Sequence, residues 1–418
     1  MNLKIFALFI PVLTVFFITV TATEKIRYDN YRLFKVISKN ERSLEFLKKF
    51  EDKFDFWKEP ISIDDFSTVL ISPEQLEEFK DLMKTNEIDI EETVSDVQKL
   101  IEDTSPSSLT KSGLEWTNYH PLDEIYEWVD ELTNQYPDIV TVFDLPGHSY
   151  ERRPIRALKI SHKEGNPGIF IEANMHAREW ISSATATWII NELLTSKNGT
   201  VRLIAENIDW YFVPVLNPDG LVYTHTTDRM WRKTRQPHGN CVGADLNRNY
   251  DFLWMEAGAS SNPCSNTYAG PFPESEPEIQ AITKYFETIP KNKIKIYISF
   301  HSFGQLALTP WGHTNKEFPP NYDDMLKVGS GFANAARRLY NSNYRYGASS
   351  VVLYAVSGSS KEWAYGVQKI PFTFTIELRD TGKFGFILPP DQIIPTAREV
   401  LEGLVGMINS VPKGQFSL

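Results

Sequence analysis

The order of hydrophobic and polar positions divides much of the chain into strand-like and helix-like segments. Five apolar runs predict buried strands: RALKIS, GIFIEAN, WYFVPVLN, KIYISFH and FTFTIEL. Amphipathic segments of helical period alternate with them: DEIYEWVDEL, ISSATATWIINELL, EPEIQAITKYFET, DDMLKVGSGFANAARRL and TAREVLEGLVGMI. Strands that are apolar on both faces are typical of sheets covered by helices on both sides. The pattern therefore predicts an α/β fold with a largely parallel, doubly covered sheet.

The first quarter of the chain has a different pattern. It contains no histidine and no cysteine; YRLFKVIS predicts a strand, and SPEQLEEFKDLMK predicts a helix. Ser72 is expected to cap that helix, and Gln75 to complete a capping box. This part ends in the polar, turn-rich stretch IEDTSPSSLTKSG. We therefore expect a small folded unit here, separated from the rest of the chain by a linker.

The linker predicts a site of activation. Lys111 lies within it, and no other lysine or arginine occurs between Lys99 and Arg152. Exposed linkers of this kind are preferred sites of proteolytic cleavage. We expect residues 23–111 to form a pro-domain that a trypsin-like protease removes at Lys111, and residues 112–418 to form the catalytic domain.

The N-terminus carries a short apolar stretch. Lys4 precedes a run from Ile5 to about Val20, and Val20 with Ala22 suits a signal-peptidase site. A membrane anchor is the alternative, but the run is short for a span of the bilayer. We expect a signal peptide over residues 1–22 and a secreted, extracellular protein without membrane association, for instance in a digestive lumen.

Charge and cysteine content narrow the function further. The formal net charge is −11 and no Lys/Arg-rich block occurs, which disfavours a nucleic-acid partner. The only two cysteines, Cys241 and Cys264, are expected to form a disulfide in an oxidising compartment, with two free thiols as the alternative. Asn198 begins the sequence Asn-Gly-Thr, which predicts glycosylation.

The segment NMHAREW, directly after the run GIFIEA, contains candidate metal ligands. His176 and Glu179 are three residues apart, and His301 ends another predicted strand. A catalytic zinc ion needs three such ligands and an open position. Taken alone, the pair also fits a salt bridge with Arg178, and a lone histidine at a strand end also fits a hydrogen-bonded core residue.

Many further segments point to one family. They are YHPLDEIYEW, NMHAREW, NPDG, DRMWRKTR, CVGADLNRNYDF, GPFPESEPE, SFHS, SGSSKEW and IELRDTGKFGF. In this order and spacing, the sequence resembles the secreted precursors of zinc metallocarboxypeptidases of the carboxypeptidase A/B (M14) family. The resemblance implies a three-layer α/β/α catalytic domain with a mixed, largely parallel sheet. It also implies a small α/β pro-domain built as an open antiparallel sandwich.

The same resemblance implies an activity and a catalytic centre. The protein would be a monomeric hydrolase that removes the C-terminal residue of peptides and proteins with one Zn²⁺ per chain. His176, Glu179 and His301 match the zinc ligands, and Asp245 matches a carboxylate that orients His176. Glu377 matches the general base that takes a proton from the water at the zinc, as amide hydrolysis requires.

Residues that bind substrate are implied in the same way. Arg232 matches a residue that stabilises the oxyanion. Asn247, Arg248 and Tyr354 match residues that hold the terminal carboxylate, for which a planar guanidinium is well suited. Arg178 matches a residue of the neighbouring subsite. Cys241 and Cys264 match the disulfide of the family.

Specificity is the open question. In the family, the residue at the bottom of the specificity pocket lies after the binding tyrosine, and here the segment YAVSGSSKEW puts Lys361 there. A buried ammonium group favours an anionic partner, so we expect a preference for C-terminal Glu or Asp. Ser349 is expected in the pocket wall. Three further positions keep the pocket partly apolar: Leu308, Leu353 and Val356.

Alternatives remain for this pocket and for the function. The Lys361 ammonium could reach water or pair with Glu362, which would leave an apolar preference. Phe303 replaces a tyrosine common among relatives, and the stretch from Trp363 to Glu377 is one residue longer than in the best-known members. A serine hydrolase is disfavoured because no Gly-x-Ser-x-Gly motif occurs. A non-catalytic binding protein on this fold is the stronger rival, but it would be expected to lack a ligand, the base or the carboxylate-binding residues.

Overall fold

The computed structural model describes residues 24–50, 53–105 and 113–415. The predicted signal peptide and Lys111 therefore lie outside the described residues. The pro-domain contains four strands: β1 (Arg32–Ile37), β2 (Asp55–Lys58), β3 (Phe66–Ile71) and β4 (Asp89–Val94). Its helices are α1 (Glu41–Lys48), α2 (Leu76–Thr85) and α3 (Val97–Thr104).

The strands of the pro-domain form an antiparallel sheet in the order β2-β3-β1-β4. Alternation along the strands creates two apolar faces. Phe34 and Val69 pack with Phe79 of α2, whereas Leu33 and Leu70 point to the opposite face. The prediction of a small open antiparallel sandwich is confirmed.

The predicted helix cap in this unit is wrong. Pro73–Gln75 forms a 3₁₀ turn, α2 begins only at Leu76, and the Ser72 side chain makes no capping hydrogen bond. The Gln75 side chain instead donates to the Lys53 carbonyl at 3.0 Å. A contact with a segment distant in sequence has replaced the local cap.

The remaining strands belong to the catalytic domain. They are β5 (Val140–Asp144), β6 (Arg156–Ile160), β7 (Gly168–Ala173), β8 (Asp209–Val213), β9 (Pro237–His238), β10 (Cys241–Val242), β11 (Ile294–His301), β12 (Leu306–Thr309), β13 (Arg345–Ala348) and β14 (Phe372–Glu377). Eight of them form one sheet in the order β13-β12-β14-β11-β7-β8-β6-β5. Its centre, from β14 to β8, is parallel, and β12, β6 and β5 introduce antiparallel pairs. The prediction of a mixed, largely parallel sheet is confirmed.

Helices cover both faces of this sheet. They are α4 (Leu122–Gln135), α5 (Trp180–Thr195), α6 (Gly199–Asn207), α7 (Pro218–Thr226), α8 (Pro277–Phe286), α9 (Tyr322–Tyr340), α10 (Ser349–Val352), α11 (Ser360–Gly366) and α12 (Ile393–Asn409). One core joins α4, α5, α9 and α12 to the sheet, and a second core joins α8 and α11 to its other face. Among the described residues, no helix is long and apolar enough to cross a membrane.

The parallel centre of the sheet determines where the site forms. Strands β7, β11 and β14 are neighbours, and all three end at the same edge. His301 and Glu377 are the last residues of β11 and β14 and pair directly in the register. His176 lies just beyond the end of β7. Side chains that follow the carboxyl ends of parallel strands commonly form the functional site.

Candidate active site

Three side chains converge at this edge of the sheet. His176 Nδ1 lies 2.8 Å from Glu179 Oε1, and His301 Nδ1 lies 3.0 Å from Glu179 Oε2 and 3.0 Å from His176 Nδ1. All three residues are buried. Glu179 directly precedes α5, so the turn after β7 and the start of this helix bring it back towards His176. The predicted trio is assembled from two segments of the chain, the turn between β7 and α5 and the end of β11.

Asp245 connects this trio to the residues predicted to bind substrate. Its Oδ1 contacts His176 Nε2 at 2.9 Å and accepts from the Asn247 backbone at 2.9 Å. Its Oδ2 accepts from Arg232 Nη2 at 2.7 Å. When His176 donates Nε2–H to this carboxylate, Nδ1 keeps its lone pair towards Glu179 and His301.

Burial and close charges shift the pKa values of the site in opposite directions. Burial opposes the charge of Glu179, but the two histidines hold the pKa of its carboxyl well below the usual range. Burial likewise opposes the charge on His301, yet Glu179 raises the pKa of that imidazole. Burial raises the pKa of Glu377 to about 7, with Glu179 adding to the effect. Two carboxyl groups of one site thus have very different proton affinities.

The trio fits a zinc ion by its chemistry. One nitrogen from each imidazole and one carboxylate oxygen lie within 4.8 Å of one another and offer three ligand atoms. This is the number and type of ligands that catalytic zinc takes. In addition, the Nδ1 atoms of His176 and His301 lie 3.0 Å apart, and both of them face the Glu179 carboxylate. A cation shared between them resolves the crowding of lone pairs.

The residues predicted to bind a terminal carboxylate line the same cavity as the trio: Asn247, Arg248 and Tyr354. Arg248 donates Nε–H to the Gly258 carbonyl at 2.7 Å and Nη1–H to the Asn247 carbonyl at 3.0 Å. The Tyr354 ring lies 6.0 Å from the guanidinium carbon of Arg248. Backbone contacts thus fix the direction of the guanidinium before any substrate arrives.

Arg232 and Arg178 contribute two further cations to the cavity. Arg232 is held by Asp245 and lies 3.8 Å from Glu179 Oε1. The Arg178 guanidinium stacks on the Phe386 ring at 4.0 Å. Burial lowers the pKa of Arg178 to about 10, with the charge of Arg232 as a further cause. The cavity is therefore strongly electropositive on this side.

Lys361 reaches the cavity from α11. The residue is only 2% exposed, and its Nζ has one hydrogen-bond partner among the described residues, Ser359 Oγ at 3.3 Å. Burial lowers the pKa of this ammonium group. Glu362 makes no hydrogen bond to it: Glu362 Oε1 accepts from the backbone of Gly312 and His313, and its Oε2 is buried without a hydrogen-bond partner among the described residues. The extra residue between Trp363 and Glu377 has not displaced Lys361 from the cavity.

The predicted wall residues also lie where the sequence suggests. Ser349 is fully buried, and its hydroxyl donates to the Thr309 carbonyl at 3.5 Å. The apolar part of the lining is provided by Leu308, Leu353 and Val356. Phe303 packs edge-on against Phe386, with ring centroids 5.0 Å apart. Its apolar ring therefore belongs to the rim of the cavity.

The pro-domain lies over this cavity. Four consecutive residues, Phe56 to Glu59, are part of its lining. Trp57 packs on Phe386 at 5.3 Å, and Leu33 and Leu70 join the same apolar cluster. Gly385 permits this close contact, since a Cβ atom there would lie 2.7 Å from the Trp57 ring. Sequence reasoning missed these four lining residues because nothing in their local pattern indicates which surface they meet.

Asn217 has a structural position rather than one in the cavity. It follows β8, as a site residue would, but its Oδ1 caps α7 by accepting from Gly220 N at 2.9 Å. Its Nδ2 donates to the carbonyls of Met175 and Lys233 at 3.1 Å each. Asn217 thereby ties the loop before His176 to the loop that follows Arg232.

Two predicted covalent features lie away from the cavity lining. Cys241 and Cys264 form a disulfide, so the alternative of two free thiols is wrong. Asn198 is exposed and begins α6, where its Oδ1 accepts from the backbone of Thr200 and Val201. The amide nitrogen, to which a glycan would be attached, takes no part in that cap.

A doubly covered sheet with a buried His₂Glu trio and an electropositive cavity defines a metal-dependent hydrolase of the α/β class. The family model described as zinc carboxypeptidase matches residues 125–403, and that of the carboxypeptidase activation peptide matches residues 34–104. The chain belongs to the zinc carboxypeptidase family, whose members hydrolyse C-terminal peptide bonds, and it carries the activation peptide of a zymogen. Zinc is the metal of this site.

Relatives match over most of the chain. "Zinc carboxypeptidase A 1" of Anopheles gambiae is 38% identical over 400 residues, which cover 94% of this chain and 92% of the relative. "Carboxypeptidase O" of Homo sapiens is 44% identical over 74% of this chain and 84% of its own length. The crystal structure of thrombin activatable fibrinolysis inhibitor superposes with a TM-score of 0.85 at 32% identity, over 93% of this chain and 100% of that one.

Proposed function

We propose that this protein is the secreted precursor of a zinc carboxypeptidase that prefers glutamate or aspartate at the C-terminus of its substrates. The observation that carries the proposal is the position of the Lys361 ammonium group. It is buried at the cavity, and its one hydrogen-bond partner among the described residues is the neutral hydroxyl of Ser359. An unpaired buried charge destabilises a protein by several kcal/mol. A substrate carboxylate that pairs with the ammonium group offsets this unfavourable free energy.

The surroundings of Lys361 support an anionic partner. Glu362 is the adjacent carboxylate, but backbone amides of Gly312 and His313 already occupy its Oε1. Burial is the main cause that lowers the pKa of Lys361; the charge of Glu362 opposes this shift, and the charge of Arg248 adds to it. The polar Ser349 in the wall suits a polar side chain better than a continuous apolar wall would.

The apolar part of the lining supports the second candidate, a preference for apolar C-terminal residues. Leu308, Leu353 and Val356 line the same cavity. In that case the methylene groups of Lys361 would contact the substrate while its ammonium turned away. The two candidates differ only in the direction of one side chain, so a comparison of C-terminal residues distinguishes them.

The other residues of the site have separate roles in hydrolysis. His176, Glu179 and His301 would hold the zinc, which when bound would supply Lewis-acid chemistry for the carbonyl and for the attacking water. Glu377 accepts a proton from the attacking water and returns it to the leaving nitrogen. Arg232, held in place by Asp245, stabilises the developing oxyanion with its positive charge.

Substrate orientation follows from a second set of groups. Arg248 binds the free terminal carboxylate with its planar guanidinium, assisted by Asn247 and the hydroxyl of Tyr354. An internal peptide bond has no carboxylate at that place, so cleavage is restricted to the chain end. Arg178 contacts the residue before the cleaved bond.

The pro-domain keeps the enzyme latent until it is removed. We place the pro-domain at residues 23–111 and the enzyme at residues 112–418, with cleavage at Lys111 by a trypsin-like protease. Phe56 to Glu59 lie in the cavity lining, so the uncut chain leaves little room for a peptide. A signal peptide over residues 1–22, a glycan on Asn198 and a monomeric state complete the proposal.

The experiment compares three matched peptides that differ only in a C-terminal Glu, Phe or Lys. The trypsin-treated protein is assayed on each, with and without a zinc chelator. The proposal expects chelator-sensitive release of Glu well above Phe and Lys. Faster release of Phe would refute the acidic preference and support the apolar candidate, and release of none would favour a binding protein without activity.

A further inference from the structure

Arg345 is a cation outside the cavity that already holds a carboxylate. Its Nη2 donates to Oδ2 of Asp65 in the pro-domain at 3.2 Å, across 280 positions of sequence. Among the described residues this is the only ion pair between the pro-domain and the catalytic domain. The Arg345 side chain is 46% exposed even with the pro-domain in place. Removal of the pro-domain leaves this guanidinium without its carboxylate partner.

The position of Arg345 is tied to both sides of the specificity pocket. It begins β13, where it pairs with Leu306 of β12, and β12 continues to the pocket residue Leu308. Its guanidinium also donates to the Val352 carbonyl at 3.4 Å, directly before Leu353 of the pocket. Arg345 itself does not line the cavity, but its guanidinium lies beside the lining, next to Leu353; we call this position the rim.

Asp65 also connects Arg345 to the lining of the cavity. Its Oδ1 accepts from Lys58 Nζ at 2.9 Å, and Lys58 itself lines the cavity. Two consecutive polar contacts therefore connect the cavity lining to Arg345. Asp65 itself lies outside the lining segment, directly before β3, and from there it presents its carboxylate to Arg345. A substrate chain that extends beyond the cavity on this side can present a carboxylate in the same place.

We propose that Arg345 is an exosite for an acidic side chain of the substrate, upstream of the cleaved bond, and that Asp65 occupies this exosite in the zymogen. The inference rests on the proposed function, since it concerns the substrate of that same site. Together, Lys361 and Arg345 direct the enzyme to acidic chain ends, where one carboxylate enters the pocket and another binds the rim. A partly exposed ion pair of this kind changes kcat/KM about two- to fivefold and weakens with salt.

The test uses the trypsin-activated full chain and blocked peptides of eight residues. In each peptide pair, one upstream position carries Glu or Gln, and the set is made once with C-terminal Glu and once with C-terminal Phe. The Glu/Gln ratio of kcat/KM is measured for the wild type, for Arg345→Gln and for Arg338→Gln. Arg338 is an exposed arginine on α9 and serves as the matched control.

Wild type and Arg338→Gln are expected to prefer Glu about two- to fivefold at one or more upstream positions, less so in high salt. Arg345→Gln is expected to bring that ratio to about one. A ratio of one at every position in the wild type, or a preference that persists in Arg345→Gln, would overturn the exosite. Because the ratio is taken at constant C-terminal residue, it does not depend on whether the pocket prefers Glu, and the two proposals can fail separately.

Discussion

Replacement of Lys361 by methionine tests the specificity pocket most directly. Methionine keeps an unbranched side chain of similar volume and removes the charge. The ammonium group has only Ser359 as a hydrogen-bond partner among the described residues, so the substitution breaks no hydrogen bond to a carboxylate within the protein. Loss of a poorly paired buried charge is not expected to lower stability.

The size of the effect follows from the contact that is lost. A hydrogen bond to a charged group contributes about 1.5–3 kcal/mol. This corresponds to a factor of about 10–150 in kcat/KM for a peptide that ends in Glu. For peptides that end in Leu or Met, kcat/KM is expected to rise. The pocket of the variant would have an apolar end as well as the apolar wall of Leu308 and Leu353.

The assay compares kcat/KM for peptides ending in Glu, Gln, Leu and Phe, using the trypsin-activated enzyme. Lys327→Met is the matched control, since Lys327 is exposed on α9. Thermal unfolding verifies that both variants fold. A Glu/Leu ratio in Lys361→Met within about twofold of the wild-type ratio would show that the ammonium does not contact the substrate, and the reasoning from burial would be refuted.

Three further predictions concern the base, the zymogen and the core. Glu377→Gln is expected to keep its zinc content and melting temperature but to lose activity by at least about 100-fold, and an active variant would refute its role as base. Trp57→Ala removes a large apolar contact with Phe386, of the order of 3 kcal/mol. Uncut Trp57→Ala should therefore cleave peptides before trypsin treatment, whereas complete latency would contradict the covering role. Burial raises the pKa of Glu278 to about 8 from 4.5, so the folded state keeps a proton that the unfolded state loses, and stability should fall between these pH values. The loss of unfolding free energy amounts to about 4 kcal/mol at pH 8, and it should be absent in Glu278→Gln. The same pH dependence of the melting temperature in wild type and variant would disprove this prediction.

Much of the fold could be predicted from local pattern. The five apolar runs correspond to β6, β7, β8, β11 and β14, and the five amphipathic segments correspond to α4, α5, α8, α9 and α12. These elements are long or contain continuous apolar runs, so their local signal is strong. Helix α5 is buried almost all round rather than amphipathic, but its length and apolar content still indicate a helix. The short strands β12 and β13, at one end of the sheet, and the four-residue helix α10 were not predicted, because their conformation depends on neighbours rather than on their own pattern.

The residues proposed for the site could be named from the sequence, and the resemblance implied the contact of Asp245 with His176. Nothing in the sequence indicates that the same carboxylate also holds Arg232, or that Asn217 joins the loops on either side. Such contacts arise between segments 13 to 69 residues apart, and several arrangements satisfy the same composition. Ser72 is the opposite case, in which a clear local motif was overridden by a tertiary contact of Gln75.

The sequence by itself determined the fold class, the family resemblance and the residue types available for zinc binding and hydrolysis. These depend on periodicity and on short motifs, which neighbouring residues encode. Only the tertiary structure decided that Glu362 Oε1 accepts from backbone amides while Lys361 reaches the cavity, and that Asp65 contacts Arg345. Which charged side chains pair with each other depends on how distant segments pack, and the local sequence around each residue does not determine that packing.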